Sequence, residues 1–169
     1  MRGFTLIELL VVMAIMASLS TLMLLNYRGG SQNFAEQRSL QNIAQAIRSA
    51  QVKALGSEDI SCIPSPCVYY GVHFDTSSRD ILVFASNDNQ YDLGEEILGE
   101  TKEVEQGVEI TSLIITVGVS SSGTDTLDVL FSPPDPTVFF NPSASSVRIN
   151  ITGGKGVDVN LRGRVDLIP

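Results

Sequence analysis

The sequence contains few of the side chains on which catalysis and metal binding depend. It has one histidine, His73, and two cysteines, Cys62 and Cys67, among 169 residues. These side chains fall short of the ligand set that a structural zinc site usually requires. There is no glycine-rich phosphate loop, and no pair of carboxylates is fixed on one regular element. Enzyme activity therefore has little support, and we expect a non-enzymatic protein with no resident cofactor.

Positive charge is also scarce. The chain has 11 Lys and Arg against 19 Asp and Glu, which gives a formal net charge of −8. A phosphate backbone is held mainly by Lys and Arg that displace its counterions, so this balance argues against bulk electrostatic binding of nucleic acid. The C-terminal stretch 148–166 differs, because its four cations outnumber its two acids, Asp158 and Asp166. These cations are Arg148, Lys155, Arg162 and Arg164.

One apolar run dominates the N-terminus. Residues 9–25 carry no charge, and only two serines and one threonine in them are polar. A helix from Phe4 through this run would be roughly 33 Å long at ~1.5 Å per residue, enough to cross a hydrocarbon core of ~30 Å. A secretory signal peptide fits poorly, because its charged region would contain a single arginine and no Ala-x-Ala cleavage site follows the apolar run. A plain membrane anchor fits the length but not Glu8, whose burial is costly unless the carboxylate is paired.

The residues Gly3-Phe4-Thr5-Leu6-Ile7-Glu8 resemble the processing and methylation motif of type IV prepilins and type II secretion pseudopilins. The resemblance implies that a prepilin peptidase cleaves between Gly3 and Phe4 and methylates the new Phe4 amine. It also implies that Glu8 is an assembly residue, neutralising the N-terminal amine of a neighbouring subunit in an apolar filament core. A carboxylate facing lipid headgroups is the alternative for Glu8.

The same resemblance implies partners and a location. The expected partners are other pilin or pseudopilin subunits, the prepilin peptidase, an inner-membrane assembly platform and, before assembly, membrane lipid. The expected location is a single-pass position in the inner (cytoplasmic) membrane, with the globular domain outside the cytoplasm, followed by a pilus or pseudopilus.

The pattern and the resemblance together predict an α+β pilin-like fold, in which a long N-terminal helix packs on a mostly antiparallel β domain of two small sheets. Leu40, Ile43, Ile47, Ala50 and Ala54 form the apolar stripe of an amphipathic helix. Glycines 29 and 30 are expected to weaken the helix. The predicted parts are a leader (1–3), a transmembrane and filament-core helix (4–27), its amphipathic continuation (28–56) and a β-rich globular domain (57–169).

Short alternating runs separated by turn residues predict the β domain. Pro133 to Pro136 and Asn141-Pro142 are expected to bar strands locally, and Ser120 to Gly123 are expected to form a short loop. The predicted strands are 68–74, 80–85, 96–100, 108–119, 126–131, 146–151, 156–161 and 164–168.

Two further segments are similar to the FimT/GspH group of minor pilins and pseudopilins. The first, residues 82–98, resembles that group's strand, acidic turn and strand. The second, Gly163-Arg164, resembles its final Gly-Arg turn. Certain FimT-type minor pilins take up DNA through a C-terminal Gly-Arg-x-Arg motif, but here Asp166 stands in place of the second arginine. The four C-terminal cations are therefore either DNA contacts or ordinary exposed strand charges.

The acidic turn is also a candidate calcium site. Asp88, Asp92 and Glu95 have the oxygen ligands that calcium prefers, although turn formation and solubility explain them as well. Ser86 stands where the FimT/GspH group often has an aspartate, which leaves the site one acid short.

Cys62 and Cys67 are separated by Ile63-Pro64-Ser65-Pro66. With an export-type N-terminus, this pair predicts a disulfide formed outside the cytoplasm, because two prolines limit how far the thiols can separate. Two unlinked thiols are the alternative.

The sequence thus favours a minor pilin or pseudopilin that helps a filament start, grow or engage cargo. The alternative is a DNA-binding minor pilin that uses the C-terminal cations for uptake. An anchored domain that never enters a filament is disfavoured by Glu8.

Overall fold

The structure, a computed structural model, describes residues 5–56, 67–95, 101–133 and 137–168. The chain divides into two compact units, Met1–Phe34 and Ala35–Pro169. Helix α1 extends from Leu6 to Gly56 (Leu6–Gly56), so its residues belong to both units. Gly29 and Gly30, which were expected to weaken the helix, lie inside it.

The second unit begins with the amphipathic part of α1. All five residues of the predicted apolar stripe are buried, with exposed fractions from 0 to 4%. Gln41, Gln45 and Arg48, which lie off the stripe, are exposed. The helical periodicity of the sequence therefore identified the packed face correctly. Apolar residues that repeat every three or four positions lie on one face of a helix, and that face is buried.

Ten strands follow. They are β1 (Tyr69–Asp75), β2 (Asp80–Ser86), β3 (Lys102–Glu103), β4 (Ile110–Val117), β5 (Ser120–Thr124), β6 (Thr126–Ser132), β7 (Thr137–Asn141), β8 (Ser146–Ile151), β9 (Gly156–Asn160) and β10 (Val165–Ile168).

These strands form two antiparallel sheets. Sheet 1 has the order β3-β2-β1-β6-β7, and sheet 2 has the order β10-β9-β8-β4-β5. The apolar stripe of α1 and the inward side chains of both sheets belong to one hydrophobic core, which includes Phe74, Phe131 and Ile149. The predicted fold class, an N-terminal helix with two small antiparallel sheets, is confirmed.

The structure differs from the predicted strands in four places: one predicted strand is too long, and β5, β7 and β3 were not predicted. The predicted strand 108–119 runs past a two-residue turn at Gly118-Val119, where Gly118 has φ +62°. The predicted loop Ser120 to Gly123 is instead β5, which pairs with β4 because that tight turn fixes the register. Proline does not exclude β7, because Pro142 follows the strand rather than interrupting it. β3 is too short to leave an alternating pattern, and the predicted strand 96–100 lies outside the described residues.

Sheet 1 has a second buried layer on the face opposite the main core. Gly71 lies between Phe84 of β2 and Leu130 of β6, and both of these side chains are fully buried. Tyr91, from the segment after β2, approaches Phe84 edge-on at 5.2 Å between ring centroids. The segment after β2 therefore folds back over this face and covers it.

Candidate functional site

The helix begins with a capping arrangement. Thr5 directly precedes α1, and Glu8 lies in its first turn. The Glu8 N–H donates to Thr5 Oγ1 at 3.4 Å, and the Thr5 N–H donates to Glu8 Oε2 at 3.5 Å. This reciprocal pattern is a capping box, and a carboxylate there is also favoured by the positive end of the helix dipole. Gly3 and Phe4, the predicted cleavage and methylation residues, lie outside the described residues.

The helix then presents an apolar surface on all sides. Leu6–Met23 is long and apolar enough to cross a membrane, and none of it is buried within the chain. Leu6 and Ile7 are 83% and 72% exposed, and Met23 is 77% exposed. A helix that is apolar all round is stable only in lipid or against other apolar helices. The carboxylate of Glu8 therefore lies at the head of a surface that requires such an environment.

The acidic turn uses its carboxylates to fix its own backbone. Asp88 Oδ1 accepts from the Ser86 hydroxyl at 3.1 Å and from the Gln90 N–H at 3.0 Å, and Glu95 Oε2 accepts from the Asp92 N–H at 3.0 Å. In the part of the chain that the structure describes, no three His, Cys, Asp or Glu side chains are grouped to hold a metal ion. Calcium ligation by Asp88, Asp92 and Glu95 stays a prediction.

Two of the candidate DNA contacts are paired on the outer face of sheet 2. Arg148 donates to both carboxylate oxygens of Asp158, at 2.7 and 2.9 Å, and Arg164 Nε lies 2.8 Å from Asp166 Oδ2. The hydrogen bonds to Asp158 raise the pKa of Arg148 above its usual range. Each cation is therefore compensated by a neighbouring acid, which reduces its attraction for phosphate.

The third candidate, Lys155, forms a largely buried ion pair. Lys155 Nζ lies 2.8 Å from Glu36 Oε2, and the two side chains are only 18% and 6% exposed. Arg162, the fourth, is on the surface. The structure thus does not gather these four residues into one free basic patch.

The final Gly-Arg segment is a tight turn between β9 and β10. Asn160 Oδ1 accepts from the N–H groups of Arg162 and Arg164, at 2.9 and 3.2 Å. Gly163 has φ +72°, and a Cβ there would lie 3.0 Å from Gln51 Nε2 of α1. The positive φ favours glycine at this position, and the flexible Gln51 side chain would have to move slightly to admit a Cβ.

The predicted disulfide is only partly within the described residues. Cys67 is 7% exposed and belongs to the main core, whereas Cys62 lies outside the described residues. The bridge stays a prediction.

If the bridge exists, reduction should lower the free energy of unfolding by up to about 3 kcal/mol, less than a long-loop disulfide contributes because the closed loop is short. Thermal unfolding with and without reductant measures this effect. Cys62→Ala is the control, since reductant should not affect it. An unchanged melting temperature of the parent protein on reduction would mean that the cysteines are not linked.

A buried polar cluster was missed at the sequence level. His73 Nδ1 lies 2.6 Å from Asp128 Oδ1, and Asp128 Oδ2 accepts from the Tyr91 N–H and the Asn141 amide, both at 3.3 Å. The Tyr91 ring stacks on His73 at 4.4 Å. These residues are far apart in sequence, and only the cross-strand register brings them together. Their arrangement holds the segment after β2 against sheet 1.

The N-terminus also matches a known family. The family described as the prokaryotic N-terminal methylation motif matches residues 1–24. Comparison with curated proteins and with solved structures gives no match. The matched segment contains the predicted cleavage site, Glu8 and the apolar run. The match supports a type IV pilin-like protein, and it fits a membrane-anchored subunit that is processed by a peptidase and assembled with other pilin subunits.

Proposed function

We propose that this chain is a minor pilin or pseudopilin of the FimT/GspH group, a structural subunit of a type IV pilus or type II secretion pseudopilus. Its role is to help the filament start, assemble or engage cargo. The precursor lies across the inner membrane with the β domain outside the cytoplasm. The peptidase cleaves after Gly3 and methylates Phe4, and the assembly platform then transfers the subunit to the filament.

The observation that carries this proposal is the position of Glu8. Glu8 is an exposed carboxylate in the first turn of α1. The two helical turns that follow it are wholly apolar and are not buried within the chain. Such a charge is tolerated in an apolar bundle only when a partner charge neutralises it. Cleavage before Phe4 creates that partner, a free amine, on every neighbouring subunit.

The ion pairs of the β domain support a structural role over DNA capture. Arg148, Lys155 and Arg164 each have a carboxylate within 3 Å. Phosphate would have to compete with these carboxylates, and the chain as a whole carries a formal charge of −8.

Glu8→Leu should leave leader cleavage intact and lower incorporation into filaments by about tenfold or more, because the loss of a buried charge pair costs well over 1.4 kcal/mol. The measurement is the ratio of the chain in sheared filaments to the chain in membranes, by immunoblot.

Thr5→Ala is the matched control. It removes the hydroxyl of the capping box and keeps the Glu8 carboxylate, so it separates capping from assembly. Thr5→Ala should be incorporated at near the parent level. If Thr5→Ala and Glu8→Leu were equally impaired, Glu8 would act on its own helix rather than on a neighbour; unimpaired Glu8→Leu would remove its assembly role.

A further inference from the structure

One face of α1 in the second unit is exposed and carries only positive charge. This outer face is turned away from the apolar stripe, and its exposed residues repeat every three or four positions. They are Arg38, Gln41, Gln45, Arg48, Val52 and Leu55. The one acid between residues 35 and 56 is Glu36, which is buried against Lys155. Arg38 and Arg48 form no ion pair with any residue that the structure describes.

Sheet 1 carries a row of acids at one end. The strands β3, β2, β1 and β6 are neighbours in that order, and their registers place one carboxylate of each at the same end, the last of them directly before β6. This acidic row consists of Glu103, Asp80, Asp75 and Asp125. Asp75 is half-buried and the other three are exposed. The row therefore crosses four strands on the surface of the sheet.

The acidic row is negatively charged. The N–H and the hydroxyl of Ser77 both donate to Asp75 Oδ1 at 2.7 Å, and these hydrogen bonds, the backbone one first, lower the pKa of Asp75. Two cations are close in sequence. Arg79 donates to the Val104 carbonyl oxygen at 2.8 Å, and Lys102 alternates with Glu103 along β3, which places it on the other face. Four acids thus face two cations that are directed elsewhere.

The outer face and the acidic row match in length as well as in charge. Arg38 and Arg48 are ten residues apart, which is about 15 Å along a helix at ~1.5 Å per residue. The row from Glu103 to Asp125 crosses three strand spacings of ~4.8 Å, which is about 14 Å. Two arginines on one copy can therefore lie over the two ends of the row on another.

We propose that the outer face of α1 docks on the acidic row of a second copy of this chain. The inference deepens the proposed filament role and rests on it. A chain with a formal charge of −8 repels its own copies, so a contact between copies is favoured where a positive face meets acids. The face and the row are different surfaces, and each copy carries both. Such a contact does not close about a two-fold axis, and it can extend from copy to copy, as a filament requires.

The test reverses the charge of each surface in the full chain, made in cells with its peptidase and filament machinery. The face variant is Arg38→Glu with Arg48→Glu. The row variant is Glu103→Arg with Asp125→Arg, and the combined variant carries all four changes. A photocrosslinking amino acid replaces Gln45, which lies between the two arginines on the outer face. Adducts are mapped by mass spectrometry, and their yield is divided by the amount of chain in sheared filaments.

We expect an adduct between two copies, mapped to the acidic row. Its yield should fall about tenfold in the face variant and in the row variant, because like charges then face each other. The combined variant should recover to within about twofold of the parent, since opposite charges meet again. A general loss of folding would not be reversed in this way.

The matched control keeps the acidic row. It joins the face variant with Asp92→Arg and Glu109→Arg, two exposed acids outside the row, and so has the same net charge as the combined variant. Its yield should stay about tenfold low. Recovery equal to that of the combined variant would overturn the proposal, as would equal yields in the parent and the face variant, or an adduct with lipid or with a different polypeptide instead of a second copy.

A second measurement requires no charge reversal. In isolated membranes, the adduct yield of the chain should fall several-fold when salt is raised from about 0.05 to about 0.5 M, because salt screens surface charges. An unchanged yield would overturn the contact. A chain that enters sheared filaments without forming the adduct overturns this inference alone, whereas a chain absent from filaments overturns the proposed function and the contact with it.

Discussion

Lys155→Met is expected to lower the free energy of unfolding by about 3–5 kcal/mol, because it leaves the Glu36 carboxylate buried without its cation. The pair joins α1 to the turn between β8 and β9, at 2.8 Å. The Glu36 carboxylate packs against the backbone of Gly153, where a Cβ would lie 2.7 Å from its carboxyl carbon and oxygens. Denaturant unfolding of the full chain in detergent measures the change.

Arg148→Met is the matched control for this prediction. It also breaks an ion pair between a basic and an acidic side chain, but the side chains of Arg148 and Asp158 are 48% and 36% exposed. A surface pair of this kind contributes about 0–1 kcal/mol. Equal destabilisation by the two variants would contradict the view that burial of Glu36 determines the cost.

Gly71→Ala is expected to lower the free energy of unfolding by about 1–3 kcal/mol, the usual cost of overpacking a filled layer. A Cβ at Gly71 would lie 2.8 Å from two ring carbons of Phe84 and 3.0 Å from the Val129 carbonyl oxygen. The ring cannot rotate away freely, because Phe84 is fully buried and Tyr91 lies against it. The same denaturant experiment measures the effect.

Two further variants test the cause of this loss. Gly123→Ala places a methyl group in open space on β5 and should change stability little. Phe84→Leu combined with Gly71→Ala should cost less than the sum of the single changes, because the smaller side chain relieves the contact. Strict additivity would mean that the Phe84 ring is not what resists the methyl group.

The helix and most strands could be predicted from the sequence because their signals are local. The stripe from Leu40 to Ala54 repeats at helical spacing, and β8 was predicted with its observed bounds, Ser146–Ile151. Alternation of Val147, Ile149 and Ile151 is sufficient there, since one face of the strand enters the core.

The missed elements depend on partners that sequence patterns do not contain. β5 is a strand because β4 pairs with it across a tight turn, although its own residues are typical of a loop. His73 and Asp128 meet because β1 and β6 are neighbours in sheet 1. The four cations proposed for DNA were identified as charges, but the carboxylate partners of Arg148, Lys155 and Arg164 became visible only in the fold.

The candidate assembly site was also predictable from the sequence only in part. The motif from Gly3 to Glu8 was readable because its residues are contiguous, and it matches the methylation family over residues 1–24. The reciprocal contacts of Thr5 and Glu8, which the structure shows, mean that the carboxylate also caps its own helix. Before assembly, this cap gives Glu8 a polar partner at the head of the apolar run.

The most direct test of the pilin-like assignment is the intact mass and N-terminal residue of the protein purified from membranes that contain its peptidase. We expect a chain that begins at Phe4 and carries a methyl group on its N-terminal amine. A chain that still begins at Met1, or one cut beyond Leu25, would contradict it.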